Sequence, residues 1–207
     1  TFFTVTAKQW EEGRWLMKKF FSIILLVSAL VVGATAATQI IDVPTAYTLG
    51  QNNGEFRVWT NINYFNVKAS YSPLKNLDGA ISIYGHQNLF YGNAEVKWQF
   101  LEETNSAPAV ALGFGNEILY GVVSKKIGPK GLNGHIGFGA GRVAPIFAGV
   151  DYILPVSGKA PKVTLLAEIN NSLNLGTSVD ITPALSLVVA LKDLDDFNVG
   201  GVLKYKF

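Results

Sequence analysis

The sequence predicts an all-β protein, an antiparallel transmembrane β-barrel of about 12 strands (roughly 10 to 14) over residues 55–207. Three observations lead there. Segments with a two-residue apolar/polar period recur along this stretch, separated by turn residues. Their polar face mixes charges of both signs with many glycines, which is unusual for a sheet facing water. The chain also carries an export-type segment near its start and ends on an aromatic residue, Phe207.

The export segment comprises Met17-Lys18-Lys19, an apolar run from Phe20 to Val32, and Ala34-Thr35-Ala36. These are the cationic start, the apolar core and the small-x-small cleavage site of a secretory signal peptide, assigned to residues 17–36. The run is shorter than the ~20 residues of a membrane-spanning helix. Residues 1–16 precede the cationic start and read as translated upstream sequence, with Met17 as the true first residue. Residues 37–54, with Pro44 and the turn-like Gly50-Gln51-Asn52-Asn53-Gly54, form a lead-in expected to be a loop or a short edge. From residue 37 onward there are thirteen basic and thirteen acidic side chains, so no charge excess points to nucleic acid. Zero cysteines suit an exported chain that needs no disulfides.

The strands follow in order. Phe56 and Val58 oppose Arg57 and Trp59; Phe65, Val67, Ala69 and Tyr71 oppose Asn66, Lys68 and Ser70. Residues 72–79 read as a turn. Ile81 and Ile83 oppose Ser82, Tyr84 and His86, and Ala94, Val96, Trp98 and Phe100 oppose Asn93, Glu95, Lys97 and Gln99. After a loop to Pro108, Val110, Leu112 and Phe114 oppose small residues, and Ile118, Tyr120 and Val122 are read as continuing that apolar face. Beyond a loop at 125–132, Ile136 and Phe138 oppose His135, Gly137 and Gly139, and Ile146, Ala148 and Val150 oppose Gly149 and Asp151. Val163, Leu165, Ala167 and Ile169 oppose Glu168; Leu173, Leu175 and Val179 oppose Asn174, Gly176, Ser178 and Asp180. Ala184 to Leu191 is apolar on both faces, and the turn 192–196 leads into the last strand. Helical periodicity is absent after residue 36.

Alternation alone does not say which face points outward. A soluble sheet turns its apolar face inward, whereas a membrane barrel turns it to lipid around a polar lumen. The glycine-rich, charged face suits a crowded interior, and closure removes the unpaired edges that would otherwise aggregate. Closure would pair the strand near Phe56 with the strand ending at Phe207. In such a barrel the longer connections fall on the side of Phe207, whereas outer-membrane barrels usually carry short periplasmic turns.

Val199, Leu203, Tyr205 and Phe207 alternate with Asn198, Lys204 and Lys206. On these residues the end of the chain resembles the closing strand of bacterial outer-membrane β-barrels, although Gly201 stands one position early. The resemblance implies outer-membrane localisation, outer-membrane lipid and the barrel-assembly machinery as partners, and Tyr205 and Phe207 as the insertion signal. A second resemblance, over Pro44-Thr45-Ala46, Gly149-Val150-Asp151-Tyr152 and Ala167-Glu168, is to the YjbH-like outer-membrane barrel group, and implies a non-enzymatic role in exopolysaccharide export or assembly.

No residue pattern points to catalysis, a metal or a cofactor. His86 and His135 sit on separate strands, too few for a metal site. Gly137-Phe138-Gly139-Ala140-Gly141 lacks the strand-loop-helix setting of a dinucleotide motif. The candidates for specific chemistry are the charges of the polar face: Arg57, Lys68, Glu95, Lys97, Arg142, Asp151, Glu168 and Asp180. They either fill a plugged interior as ion pairs or line a narrow selective path, and a barrel this small favours the filled interior. The expected function is a small outer-membrane barrel with a structural, passive-transport or envelope/exopolysaccharide-assembly role. The alternative is a soluble periplasmic sandwich or lipocalin-like carrier of an apolar ligand. The sequence leaves the oligomeric state open.

Overall fold

In the computed structural model, which describes residues 38–207 apart from 87–88, 129 and 156–159, twelve antiparallel strands close into a barrel. The strands are β1 (Asn53–Thr60), β2 (Tyr64–Leu74), β3 (Leu77–His86), β4 (Leu89–Leu101), β5 (Ala109–Gly115) and β6 (Ile118–Lys126). They continue as β7 (Leu132–Gly141), β8 (Ile146–Ile153), β9 (Val163–Asn170), β10 (Ser172–Asp180), β11 (Leu185–Lys192) and β12 (Asp196–Lys206). Each strand pairs with its sequence neighbours, and β1 closes the ring on β12 from Asn53↔Lys206 to Thr60↔Val199. The expected seam between the first and last strands is therefore present, with Phe56 opposite Leu203. No helix occurs among the described residues, and the signal and upstream segments lie outside them.

The side chains are sorted as a lipid-facing barrel requires. Ile81, Phe114, Phe138 and Ile146 are between 58 and 74 % exposed, on strands spread around the ring. Large apolar side chains exposed on most strands around the ring are more than the singly scattered ones of a water-soluble monomer. Meanwhile Glu55, Arg57, Lys97 and Glu168 point inward and are buried. This inversion excludes the soluble sandwich and the lipocalin-like carrier, whose apolar faces would be turned inside. It also sets a test. Ile136, mid-strand on β7 and 58 % exposed, should cost about 2–4 kcal/mol of stability in bilayers when replaced by Arg, the penalty for a cation at mid-membrane. Unfolding titrations in lipid vesicles measure this, and a neutral Ile136→Arg would mean the belt faces water.

Three details differ from the sequence reading. The stretch 72–79 is mostly strand, since β2 and β3 run on to a turn of residues 75–76, with a register shift between Tyr71 and Leu74. On β6, Tyr120 and Val122 point inward and Leu119 points outward, the reverse of the expected face. The lead-in, expected as a loop or a short edge, has no strand before Asn53, only the isolated bridge Gln39↔Pro44. It enters the lumen.

The two ends of the barrel are unequal. One bears Asn53 and Phe207 together with the longer connections 102–108 and 154–162. The other carries tight turns at 61–63, 116–117, 142–145 and 171. With twelve strands counted, the longer connections do fall on the side of Phe207 and the asymmetry belongs to the barrel.

Candidate functional site: a hairpin seated in the lumen

Immediately before β1 the chain turns sharply, with Gly50 at φ 81° and Asn52 at φ 62°. Glycine suits the first position because left-handed backbone carries no Cβ penalty there. Residues 38–49 then run up the lumen and back as a hairpin, held together by Ile40 N–H to Val43 O (2.9 Å) and Thr45 N–H to Thr38 O (3.1 Å). Ile41, Val43 and Ala46 are fully buried. They pack with an apolar strip of the inner wall that includes Tyr120, Val122, Leu166, Val188 and Val202. This explains the reversed face of β6. Its inward residues are apolar because they meet the hairpin rather than water.

Polar wall residues hold the hairpin by its backbone. At the tip, Ile41, Asp42 and Val43 donate N–H bonds of 2.9–3.1 Å to the Glu168 carboxylate, which also accepts from Asn174 Nδ2 at 2.9 Å. A buried carboxylate is tolerable only when fully hydrogen-bonded, and converging backbone N–H groups form an anion-binding concavity. Asp42 beside them pairs with Lys192 at 2.8 Å. Lower down, Ala46 N–H donates to Ser124 Oγ (2.8 Å) and Leu49 N–H to the Asp78 carboxylate (3.2 Å). Lys97, buried and 3.4 Å from Asp78, donates to the carbonyls of Tyr47 and Thr38. Outside the membrane-spanning strands, Tyr47 Oη reaches Glu103 at 2.8 Å. Burial acts to raise the Glu103 carboxyl, but the Lys126 N–H, the Tyr47 hydroxyl and the nearby lysines outweigh it and hold it below its ordinary value. The Tyr47 phenol is driven up, first by burial and then by that carboxylate.

Two inward glycines act as sockets. A Cβ on Gly149 would lie 2.3 Å from Ile40 Cδ1, and one on Gly176 would lie 3.1 Å from Ile41 Cδ1. The hairpin tip occupies the space these side chains leave empty.

The hairpin divides the lumen into two vestibules. At the terminus-bearing end a cavity of about 330 Å³ is walled by Arg57, Asp151, Lys162, Asp180 and Lys204, among others. At the tight-turn end a cavity of about 230 Å³ is walled by Asp42, Lys68, Tyr84, Glu95 and Arg142, among others.

Of the eight charges singled out from the sequence, seven line the inner wall and Arg142 stands on the 142–145 turn; most are held in local pairs rather than one cluster, whereas Glu168 is held by the hairpin N–H groups and Asn174. Arg57 pairs with Glu55 (3.0 Å), Lys68 with Glu95 (3.0 Å), Lys97 with Asp78 (3.4 Å) and Asp180 with Lys162 (3.7 Å). Arg142 lies 4.5 Å over the Tyr84 ring and 3.7 Å from Glu117. Asp151 receives His135 Nε2 at 2.8 Å, and His135 Nδ1 meets Ser124 Oγ at 2.8 Å. This Ser-His-Asp row lacks the exposure that catalysis needs. Ser124 is fully buried and already accepts the Ala46 N–H, so the row is a strut under the hairpin. Among the described residues, no group of three or more His, Asp or Glu is arranged to hold a metal ion.

The sequence reading missed Glu55, Asp78, Ser124 and Lys192. Asp78 and Lys192 fell within presumed turns. Glu55 stands two residues before Arg57 on the same inward period, a signal that was available. At the far end, Phe207 closes the ladder by donating its N–H to Asn52 O (2.9 Å), and its ring packs edge-on against Tyr205 and Tyr71.

No protein family and no curated protein matches this chain by sequence. Among solved structures it is similar to the KdgM porin, at 12 % identity and a TM-score of 0.50, over 75 % of this chain and 99 % of that one. The KdgM porin in complex with disordered oligogalacturonate matches equally. The Acinetobacter baumannii outer membrane protein Omp33 gives 9 % identity and a TM-score of 0.48, over 75 % of this chain and 96 % of that one. At such identity the likeness to KdgM is one of fold. It does not support the YjbH-like resemblance.

Proposed function

We propose that this chain is a non-enzymatic outer-membrane barrel of the passive-transport class, serving small polar solutes. The observation that carries the proposal is the inverted polarity: an apolar belt around a closed ring whose inner wall is charged and opens into a vestibule at each end. Because cations and anions alternate as pairs along that wall, the path would discriminate by size more than by sign. The porin architecture of the structural neighbours agrees with this reading, while nothing favours the envelope-assembly role. Fractionation tests the location. The protein should resist osmotic-shock release, require detergent for extraction, and run as a compact band that shifts on heating. Release without detergent would defeat the proposal.

The terminal aromatics are proposed as the signal read by the barrel-assembly machinery. Removing Phe207 should cost the fold little, since the residue is 78 % exposed and gives up one terminal backbone bond and two edge-on ring contacts. Deleting it should therefore sharply reduce the heat-shifting barrel in cells while leaving refolding in detergent micelles nearly unchanged. Equal losses in both settings would reassign Phe207 to stability alone.

A further inference from the structure

The hairpin is not part of the barrel wall. Among the described residues its only bridge, Gln39↔Pro44, is internal, and the ring of twelve strands closes without it. It is held as a ligand is held. Its tip offers three N–H groups to one carboxylate, Glu168, its two isoleucines fill the Gly149 and Gly176 sockets, and a charge pair, Asp42–Lys192, sits alongside. Its tether is the turn at Gly50–Asn52, at the terminus-bearing end, where Gln51 and Asn52 are exposed.

We propose that the lumen wall is a binding site for a peptide turn and that residues 38–49 are its tethered occupant, which withdraws through the terminus-bearing end to join the two vestibules. The ligand class follows from the wall. It is a tight turn with converging N–H groups, followed or preceded by two bulky aliphatic side chains. Apolar burial keeps the seated state dominant, so openings of the native chain are rare and brief. This rests on the passive-transport reading for its consequence, but the binding itself does not need it.

Planar-bilayer recordings with three proteins test the proposal. Deleting residues 38–49 should give steady currents, with open time raised at least about tenfold over the intact chain, and a synthetic Thr38–Gly50 peptide should block them. If the deleted chain does not fold, a protease site placed at 51–52 is cut after the intact barrel has assembled, and washing should then release the currents. Because the chain has no cysteine, an Ile40→Cys/Gly149→Cys pair can pin the tip. Oxidised it should be silent, and reduction should restore the rare openings. A heat-shifting, hairpin-free barrel that conducts no more than the intact chain would overturn the proposal, as would silence after cleavage and washing, or currents that the peptide leaves unchanged. Failure of the location itself would register separately, in the fractionation.

Discussion

Replacing Glu168 by Ala is expected to lower the stability of the barrel by at least about 3 kcal/mol. The substitution strands the N–H groups of Ile41, Asp42 and Val43 and the Asn174 amide in a site that is 1 % exposed. Each buried donor left without an acceptor costs roughly 1–3 kcal/mol, and water can refill only part of the space. Glu168→Gln should lose less, since its amide oxygen can still accept from the tip. Urea unfolding in detergent micelles, with heat-shifted gel mobility as the second probe, measures both. An alanine variant within about 0.5 kcal/mol of the parent, the range of an ordinary surface change, would show that the tip contacts contribute nothing net.

The second large effect is expected at Lys97. Its ammonium is buried between Asp78 and two hairpin carbonyls. Lys97→Met preserves the bulk of the side chain but leaves Asp78 as an uncompensated inward charge, for a cost of about 3–5 kcal/mol. Pairing it with Asp78→Asn removes that charge and should recover most of the loss. The same unfolding titrations on the two single variants and the double variant give the coupling between the residues. If the single and double losses simply add, the two side chains do not act as a pair.

The strands were legible in the sequence because lipid on one side and a polar lumen on the other give most of them a period of two. Ile81 and Ile83, or Trp98 and Phe100, show that period plainly. The closing seam followed from the same logic, since an apolar edge left open in a membrane would carry unsatisfied backbone groups. Where the rule failed, a second apolar environment was present. Tyr120 and Val122 mimic lipid-facing residues while packing against the hairpin, and Ala184–Leu191 looked apolar on both faces because Val188 and Ala190 do the same. The hairpin itself escaped notice because Ile40, Ile41 and Val43 follow no strand period, and the acceptor for the N–H groups of Ile41, Asp42 and Val43 is Glu168, more than a hundred residues away in sequence. The inward glycines were recognised as signs of crowding. Which of them, Gly149 and Gly176, are sockets depends on where the chain returns, and that is a property of the tertiary fold alone.

The seam between β1 and β12 joins the two most distant parts of the barrel sequence, Asn53 and Lys206, and the hairpin directly precedes β1. Contacts of such long sequence separation are slow to form, because the entropy of closing the loop comes due before they give any return. The strand that must wait longest for its partner is thus the one that carries the plug. Before the seam zips, the barrel is an open trough and residues 38–49 can settle sideways. Afterwards they can pass only through a mouth. The timing of one strand pairing therefore selects between two assembly routes. A chain whose seam zips early, before the hairpin has found Glu168, would start as an empty barrel whose plug has still to enter through the terminus-bearing mouth.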